Sequence, residues 1–250
     1  MLTRAKKILK FGRRYTEYLR DWSALRQLMV AQQDHRFQLK WGDRMPALWE
    51  KSSTTSFDAH YVYHNAWAVR QVRNAGPAKH VDISSTLYFC STLSAILPVE
   101  FYDYRPAPLT LSNLTCGSTN LSDLQFANGS IESLSCMHTI EHVGLGRYGD
   151  ALDPRGDLKA ASELVRVLAH GGYLLMVLPT GKSRLQFNAH RIYDFHQVLD
   201  MFGSLDLLSC ALVTDSGHFL ENPTPAVFDE QSYGCGCYFF KKPMTDAIGS

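Results

Sequence analysis

The chain has almost no net charge: 25 lysines and arginines stand against 24 aspartates and glutamates, a formal +1. No global field selects a polyanion, which argues against nucleic acid as a partner. No run of about 18 apolar residues occurs, so nothing in the sequence predicts a bilayer span. Near the start, Ile8-Leu9 is flanked by Lys7 and Lys10, unlike the apolar core of a signal peptide. The six cysteines (90, 116, 136, 210, 235 and 237) contain no Cys-x-x-Cys pair. Cys235-Gly-Cys237 puts two thiols on one strand face, but with no second pair no metal site is expected. Cys90, Cys136 and Cys210 lie in apolar runs and read as small core residues in a reducing cytoplasm. Internal repeats and low-complexity blocks are absent as well.

What is present is a large apolar fraction, 45% of 250 residues with 12% aromatic. That is enough for one α/β domain with a full core plus an N-terminal extension. The balance of charge is local rather than global. Residues 1–26 hold eight basic residues against Glu17 and Asp21. Ile8, Phe11, Tyr15, Tyr18, Leu19, Trp22, Leu25 and Leu28 recur there at helical spacing. This predicts a basic amphipathic helix over 1–30. It packs on its own domain, or it lies on an acidic membrane surface or a partner enzyme, which would place the protein peripherally on the inner membrane. Residues 31–56 read as an irregular connection, 57–242 as the α/β domain and 243–250 as a tail.

From residue 57 the pattern sharpens. Helical spacing over 57–72 ends at Asn74-Ala-Gly-Pro77. Strands are predicted at 80–84, 99–103, within 109–116, at 131–137, 173–178, 205–213 and 236–241. Helices are predicted at 87–97, from Asp157 as a cap, and over 194–202. Alternation at this spacing predicts a mostly parallel, doubly wound sheet with helices on both faces.

The most informative stretch is Ser135-Cys-Met-His-Thr-Ile-Glu-His-Val-Gly-Leu-Gly-Arg-Tyr-Gly-Asp150. An apolar run delivers the chain to Glu141 and His142, and a loop with three glycines, Arg147, Tyr148 and Asp150 follows. Open α/β sheets place their chemistry on such loops. His142, His138 and His190 are candidate general bases, since histidine titrates near neutral pH. Glu141 reads as an orienting group. Arg147 and Arg191 are candidates for a phosphate or carboxylate, and Tyr148 joins the lining. Asp103 follows Asp82 by 21 residues, the spacing at which a carboxylate accepts ribose hydroxyls.

The order of these features resembles a class I S-adenosylmethionine-dependent methyltransferase. Three segments carry the resemblance: Leu124-Gln-Phe-Ala-Asn-Gly-Ser-Ile-Glu132, Thr139-Ile-Glu-His142, and Glu163-Leu-Val-Arg-Val-Leu-Ala-His-Gly-Gly-Tyr173. The extended signature from Glu141 to Asp157, with Phe187-Asn-Ala-His-Arg-Ile-Tyr193, looks like an uncharacterised methyltransferase-like branch found with bacterial surface-polysaccharide genes. The resemblance implies a Rossmann-like seven-strand sheet in the order 3-2-1-4-5-7-6, the last strand antiparallel. It implies S-adenosylmethionine as cofactor, with Asp82, Ser84 and Ser85 at the nucleotide loop, Asp103 at the ribose, and Asn120 and Leu121 at the adenine. Two positions depart from the family. Serines stand where its loop glycines are usual, and Asn120 stands where it has an acid. The implied activity is methyl transfer to a sugar hydroxyl or related group of a glycan-lipid acceptor, in O-antigen or capsule assembly. Two alternatives remain open: a transferase of this fold, independent of S-adenosylmethionine, acting on a nucleotide- or lipid-linked sugar, and a non-catalytic partner subunit.

Overall fold

The computed structural model describes residues 4–244. The first three residues of the predicted N-terminal helix, and 245–250 of the predicted tail, lie outside the described residues. The chain divides into two units, Met1–Phe57 and Asp58–Ser250.

The first unit is built on α1 (Arg4–Ala31). Its return segment is held by cation and ring contacts. Arg14 donates to the Leu48 carbonyl at 2.7 Å, and its guanidinium sits 4.5 Å over the Trp49 ring. Trp22 meets Trp41 edge-on at 5.3 Å, and Lys51 pairs with Asp21. None of this unit's residues from Lys6 onward is buried. Its described residues therefore form no apolar core of their own.

The second unit opens on α2 (Ala59–Ala75). Asp58 caps it by accepting from the Tyr61 amide, and Gly76 at φ 63° closes it. Then come β1 (His80–Ile83), α3 (Leu87–Leu93), β2 (Val99–Asp103), β3 (Leu114–Ser118) and β4 (Ile131–Met137). There follow α4 (Gly156–Val167), β5 (Leu168–Thr180), β6 (Arg184–Gln186), β7 (His190–Ile192), α5 (Phe195–Met201), β8 (Asp206–Val213), β9 (Phe219–Glu221), α6 (Pro225–Asp229) and β10 (Gly234–Lys241). The sheet order is β3-β2-β1-β4-β5-β10-β8-β9. The first five strands run parallel, and β10 runs antiparallel to both β5 and β8.

This is the expected order with one correction: the sheet has eight strands, because β9 extends the edge beyond β8. The apolar run 173–178 is central, paired with β4 on one side and β10 on the other. Residues with no polar side occupy such a position because helices cover both faces. α2 and α3 pack Trp67, Val72, Phe89 and Leu93 on one face. On the other, α4, α5 and α6 pack Leu164, Val198 and Phe228.

Three further corrections concern local chemistry. The third strand, expected within 109–116, starts at Leu114 and runs on to Ser118, because Asn113 takes φ 59° and turns the chain just before it. Asp157 is not a cap. It lies inside the first turn of α4, where it accepts from the Tyr193 hydroxyl at 3.0 Å. The predicted helix over 87–97 stops at Leu93, and its tail is a turn before Pro98. Cys90, Cys136 and Cys210 are buried as expected.

Two motif residues of α4 have structural work. Glu163 accepts from the Leu124 amide and from Arg166, both at 2.7 Å. Arg166 also donates to the carbonyls of Leu124 and Phe126. The pair ties the 124–128 segment to the helix, so both motifs are read as one clamp.

Candidate functional site

A cavity of about 660 Å³ opens at the carboxyl ends of β1, β2, β3 and β4. That size lies within the range of small-molecule sites, roughly 300–1,000 Å³. Its walls are the loops that leave those strands, which is where open α/β sheets bind ligands.

The β1 end is set by a buried relay. Ser135 donates to Asp82, and His80 Nε2 lies 2.8 Å from Ser135 Oγ. His80 Nδ1 lies 2.7 Å from Ser133 Oγ. Because Ser135 gives its proton to Asp82, its lone pair takes Nε2–H, and Nδ1 is left to accept from Ser133. Asp82 also accepts from the Ser85 amide at 2.9 Å. Ser85 Oγ in turn accepts from the Met137 amide at 3.0 Å. β1 and β4 are thereby locked together where the chain enters the loop. Burial pushes the Asp82 carboxyl up to about 6 and the His80 imidazole down to about 3.

Ser84 follows at φ 58°, a backbone region that favours glycine. The serine is held there by its amide, which donates to the Tyr102 carbonyl at 2.7 Å. Thr139 Oγ1 donates to the Ser84 carbonyl at 2.8 Å. Thr86 caps α3, accepting from the Tyr88 amide.

Of the residues singled out for a cofactor, Ser84, Ser85, Asp103, Asn120 and Leu121 all line the cavity. Asp82 does not. It is fully buried beneath the loop and acts on the wall only through Ser85. Asp103 accepts from the Arg105 amide through Oδ1 at 2.7 Å, which leaves Oδ2 open. Asn120 uses its side-chain oxygen on the Ser122 amide at 3.0 Å.

The loop after β4 forms the opposite wall. Gly144 takes φ 79°, and a Cβ there would lie 2.1 Å from the Asp153 carbonyl oxygen, so only glycine fits. Asp150 holds the loop from inside, accepting from the amides of Gly144 and Tyr148 at 2.7 and 3.2 Å. His142 lines the cavity, and its ring lies 5.6 Å from Tyr148 and 6.2 Å from His190. Its Nδ1 donates to the Ala189 carbonyl at 2.6 Å. Its Nε2 lies 3.6 Å from Glu141 Oε1. Burial pushes the His142 imidazole down, against the pull of Glu141. Arg147 reaches Ala189 O at 3.1 Å, and the guanidiniums of Arg105 and Arg147 sit 4.7 and 5.2 Å from the Tyr148 ring.

His142, Tyr148, His190 and Arg147 are thus brought together, although His190 and Arg147 stand beside the cavity rather than on its wall. Glu141 is buried behind His142 and His138. Arg191 is corrected. It is buried and donates to the Val143 carbonyl at 2.7 Å, with Asp157 3.4 Å from its Nε. A guanidinium so occupied holds the loop and is not offered to a phosphate.

Sequence reasoning missed Tyr61, Arg105, Thr119 and Lys159 on the wall. For Tyr61 a signal existed: His60, Tyr61 and His64 crowd one end of a helix.

Residues 120–217, less than half of the chain, match the model of a family described as "Caenorhabditis protein of unknown function, DUF268". No curated protein matches the chain. Among solved structures, it is similar to the N-methyltransferase NodS from Bradyrhizobium japonicum WM9, in complex with S-adenosyl-L-homocysteine. The TM-score is 0.53 at 12% identity, over 74% of this chain and 88% of that one. The YcgJ protein from Bacillus subtilis gives 0.52 at 12%, over 72% and 99%. The [4+2]-cyclase SpnF gives 0.52 at 12%, over 78% and 86%. These likenesses show the fold: it is that of the class I S-adenosylmethionine-dependent methyltransferases.

Proposed function

We propose that the protein transfers the methyl group of S-adenosylmethionine to a hydroxyl or similar group of an acceptor. The observation that carries this reading is the cavity itself, which joins an open carboxylate, Asp103, to a buried imidazole, His142, across the strand ends. The residues present fit the cofactor. Asp103 Oδ2 would take the ribose hydroxyls, Leu121 the adenine face, and the Ser84–Ser85 backbone the amino-acid end. When bound, the cofactor supplies an electrophilic methyl group. His142, with Nδ1–H committed to Ala189, keeps a lone pair on Nε2 for the acceptor's proton. Glu141 Oε1, 3.6 Å away, stabilises the imidazolium so formed. Arg147 offers its remaining donors to an acidic group on the acceptor.

A sugar hydroxyl in surface-polysaccharide assembly is the acceptor class we favour. Its support is the resemblance of the Glu141–Asp157 signature, and the exposed Arg147 suits a phosphate-linked sugar. The basic first unit is proposed to rest on an anionic lipid surface, where such acceptors are kept.

One observation favours a second reading. Asn120, with its side-chain oxygen already engaged by the Ser122 amide, weakens the adenine contact. SpnF is a [4+2]-cyclase on this fold, so the fold alone does not fix the chemistry. A transferase of this fold that dispenses with S-adenosylmethionine is the alternative. Calorimetry with S-adenosylmethionine and S-adenosylhomocysteine decides: saturable one-to-one binding supports methyl transfer, and no binding by the folded protein overturns it.

A further inference from the structure

We infer that His60, His138 and Cys235 form a binding site for one zinc-class divalent ion beside the cavity. The three residues come from α2, the turn after β4 and the start of β10. One ligand atom from each lies within 4.8 Å of the others.

The geometry around His138 points this way. His138 takes φ 54°, a left-handed conformation uncommon outside glycine, and its amide donates to the Val177 carbonyl at 2.7 Å. The turn aims the ring so that Nε2 lies 3.4 Å from Cys235 Sγ. Two ligands of a tetrahedral zinc, with bonds of about 2.3 Å to sulfur and about 2.0 Å to nitrogen, stand about 3.5 Å apart. The His60 ring lies flat against His138, with centroids 6.1 Å apart and planes 4° from parallel.

A second observation is independent of the ligand spacing. His138 Nδ1 lies 3.3 Å from Glu141 Oε1. A metal-bound histidine characteristically gives its other N–H to a carboxylate, which fixes its tautomer and raises its basicity. Here that tautomer leaves the Nε2 lone pair toward Cys235. Glu141 is itself buried, and its Oε2 has no hydrogen-bond partner. A buried carboxylate with an unused oxygen is costly unless a cation lies close. Tyr61 and Tyr233 close around the histidines, with rings 5.5 Å from His138 and 5.6 Å from His60.

One thiolate and two imidazoles form a borderline-soft set, which selects Zn²⁺ over Mg²⁺ or Ca²⁺. Three protein ligands leave the fourth position of a tetrahedral ion for water or a substrate oxygen. His138 also lines the cavity, so the ion stands next to the acceptor's place. The site does not rest on methyl transfer, and its test needs no cofactor.

The full chain, reduced and stripped of metal, is titrated with Co²⁺ and then Zn²⁺. The expected result is one equivalent of cobalt with tetrahedral visible bands and a thiolate-to-cobalt charge-transfer band, both removed by one equivalent of zinc. Cys235→Ser removes the charge-transfer band. His60→Ala and His138→Ala weaken binding more than Glu141→Gln, which lowers affinity by about 10–100-fold and keeps the band. Cys116→Ser, on β3, changes nothing. Zinc also raises the melting temperature of the wild type. A wild type without the charge-transfer band overturns the site, as does a band that survives Cys235→Ser. Should Cys235→Ser not fold, the wild-type spectrum alone decides.

Discussion

His142 Nδ1 donates to the Ala189 carbonyl oxygen across 2.6 Å, which ties the loop after β4 to the turn before β7. A neutral imidazole with Nδ1 protonated has its lone pair on Nε2, the tautomer a general base requires. Burial keeps the base form populated below the ordinary histidine range. Nitrogen NMR is therefore expected to show Nδ1 as the protonated nitrogen at pH 7, with titration below pH 6.5. The rate should lose activity only on that acid side. His142→Ala should lower kcat by about 10²–10⁴-fold in a folded protein. A folded variant with unchanged turnover removes it as the base.

Asp103 is the cofactor test. Its Oδ2 is open to the cavity at the end of β2. A lost hydrogen bond to a charged group is worth about 1.5–3 kcal/mol, which is roughly 10–150-fold in affinity. Calorimetry of Asp103→Ala with S-adenosylhomocysteine should show that weakening. Equal affinity in wild type and variant removes Asp103 from the ribose.

How much of this was legible depends on where each signal is stored. The apolar core of β5 announces itself, because a strand covered on both faces needs apolar residues throughout, and Val99–Asp103 and Ile131–Met137 are still read from their short apolar-rich runs. β6, β7 and β9 do not. Three residues such as Arg184-Leu-Gln186 carry no period, and they become strands only because a neighbour supplies hydrogen bonds. Ser84, Asp103 and Asn120 reached the wall as expected because they follow strand ends. Asp82 looked like the same kind of residue, but its charge faces inward to Ser135. His138 and Cys235 lie 97 residues apart, so no local motif joins them.

Arg191 and Asp157 form a buried pair, each side chain about 9% exposed. Removing one partner strands the other charge, at a cost of about 3–5 kcal/mol. Asp157→Ala should fall in that range by denaturant unfolding, with no change in S-adenosylhomocysteine affinity if the protein folds. A loss under about 1 kcal/mol would make the pair behave like a surface bridge.

The first unit makes a surface prediction. Ile8, Leu9, Phe11 and Leu28 are each more than half exposed on α1, among Lys6, Lys7, Lys10 and Arg13. Each basic residue near an anionic surface contributes about 1 kcal/mol, screened by salt. The protein should co-sediment with phosphatidylserine vesicles at low salt and be released as salt rises. Phosphatidylcholine vesicles should not hold it. Sedimentation that survives deletion of residues 1–30, or that never occurs, rules this surface out.

His80 and Asp82 titrate with opposite effects on stability, although one hydroxyl joins them. His80 is held neutral, at about 3, and an unfolded chain protonates it near 6.5. Its contribution is complete above pH 6.5 and is lost as pH falls toward 3, because the unfolded state binds the extra proton. Asp82 is raised to about 6 from an ordinary 3.8. Between those values the folded state holds the proton, so its contribution is complete below 3.8 and is lost as pH rises through 6. Over pH 4–6 the two slopes run against each other and nearly cancel in this pair. Separating them should expose each. Asp82→Asn keeps a polar group for Ser135 and Ser85 and should lose stability steeply on acidification across that window. His80→Gln should reverse the trend and gain relative stability as pH falls from 6 to 4. Denaturant melts of the two variants at pH 4, 5, 6 and 7 measure both slopes. Parallel pH profiles for wild type and both variants would mean that neither group titrates differently on folding.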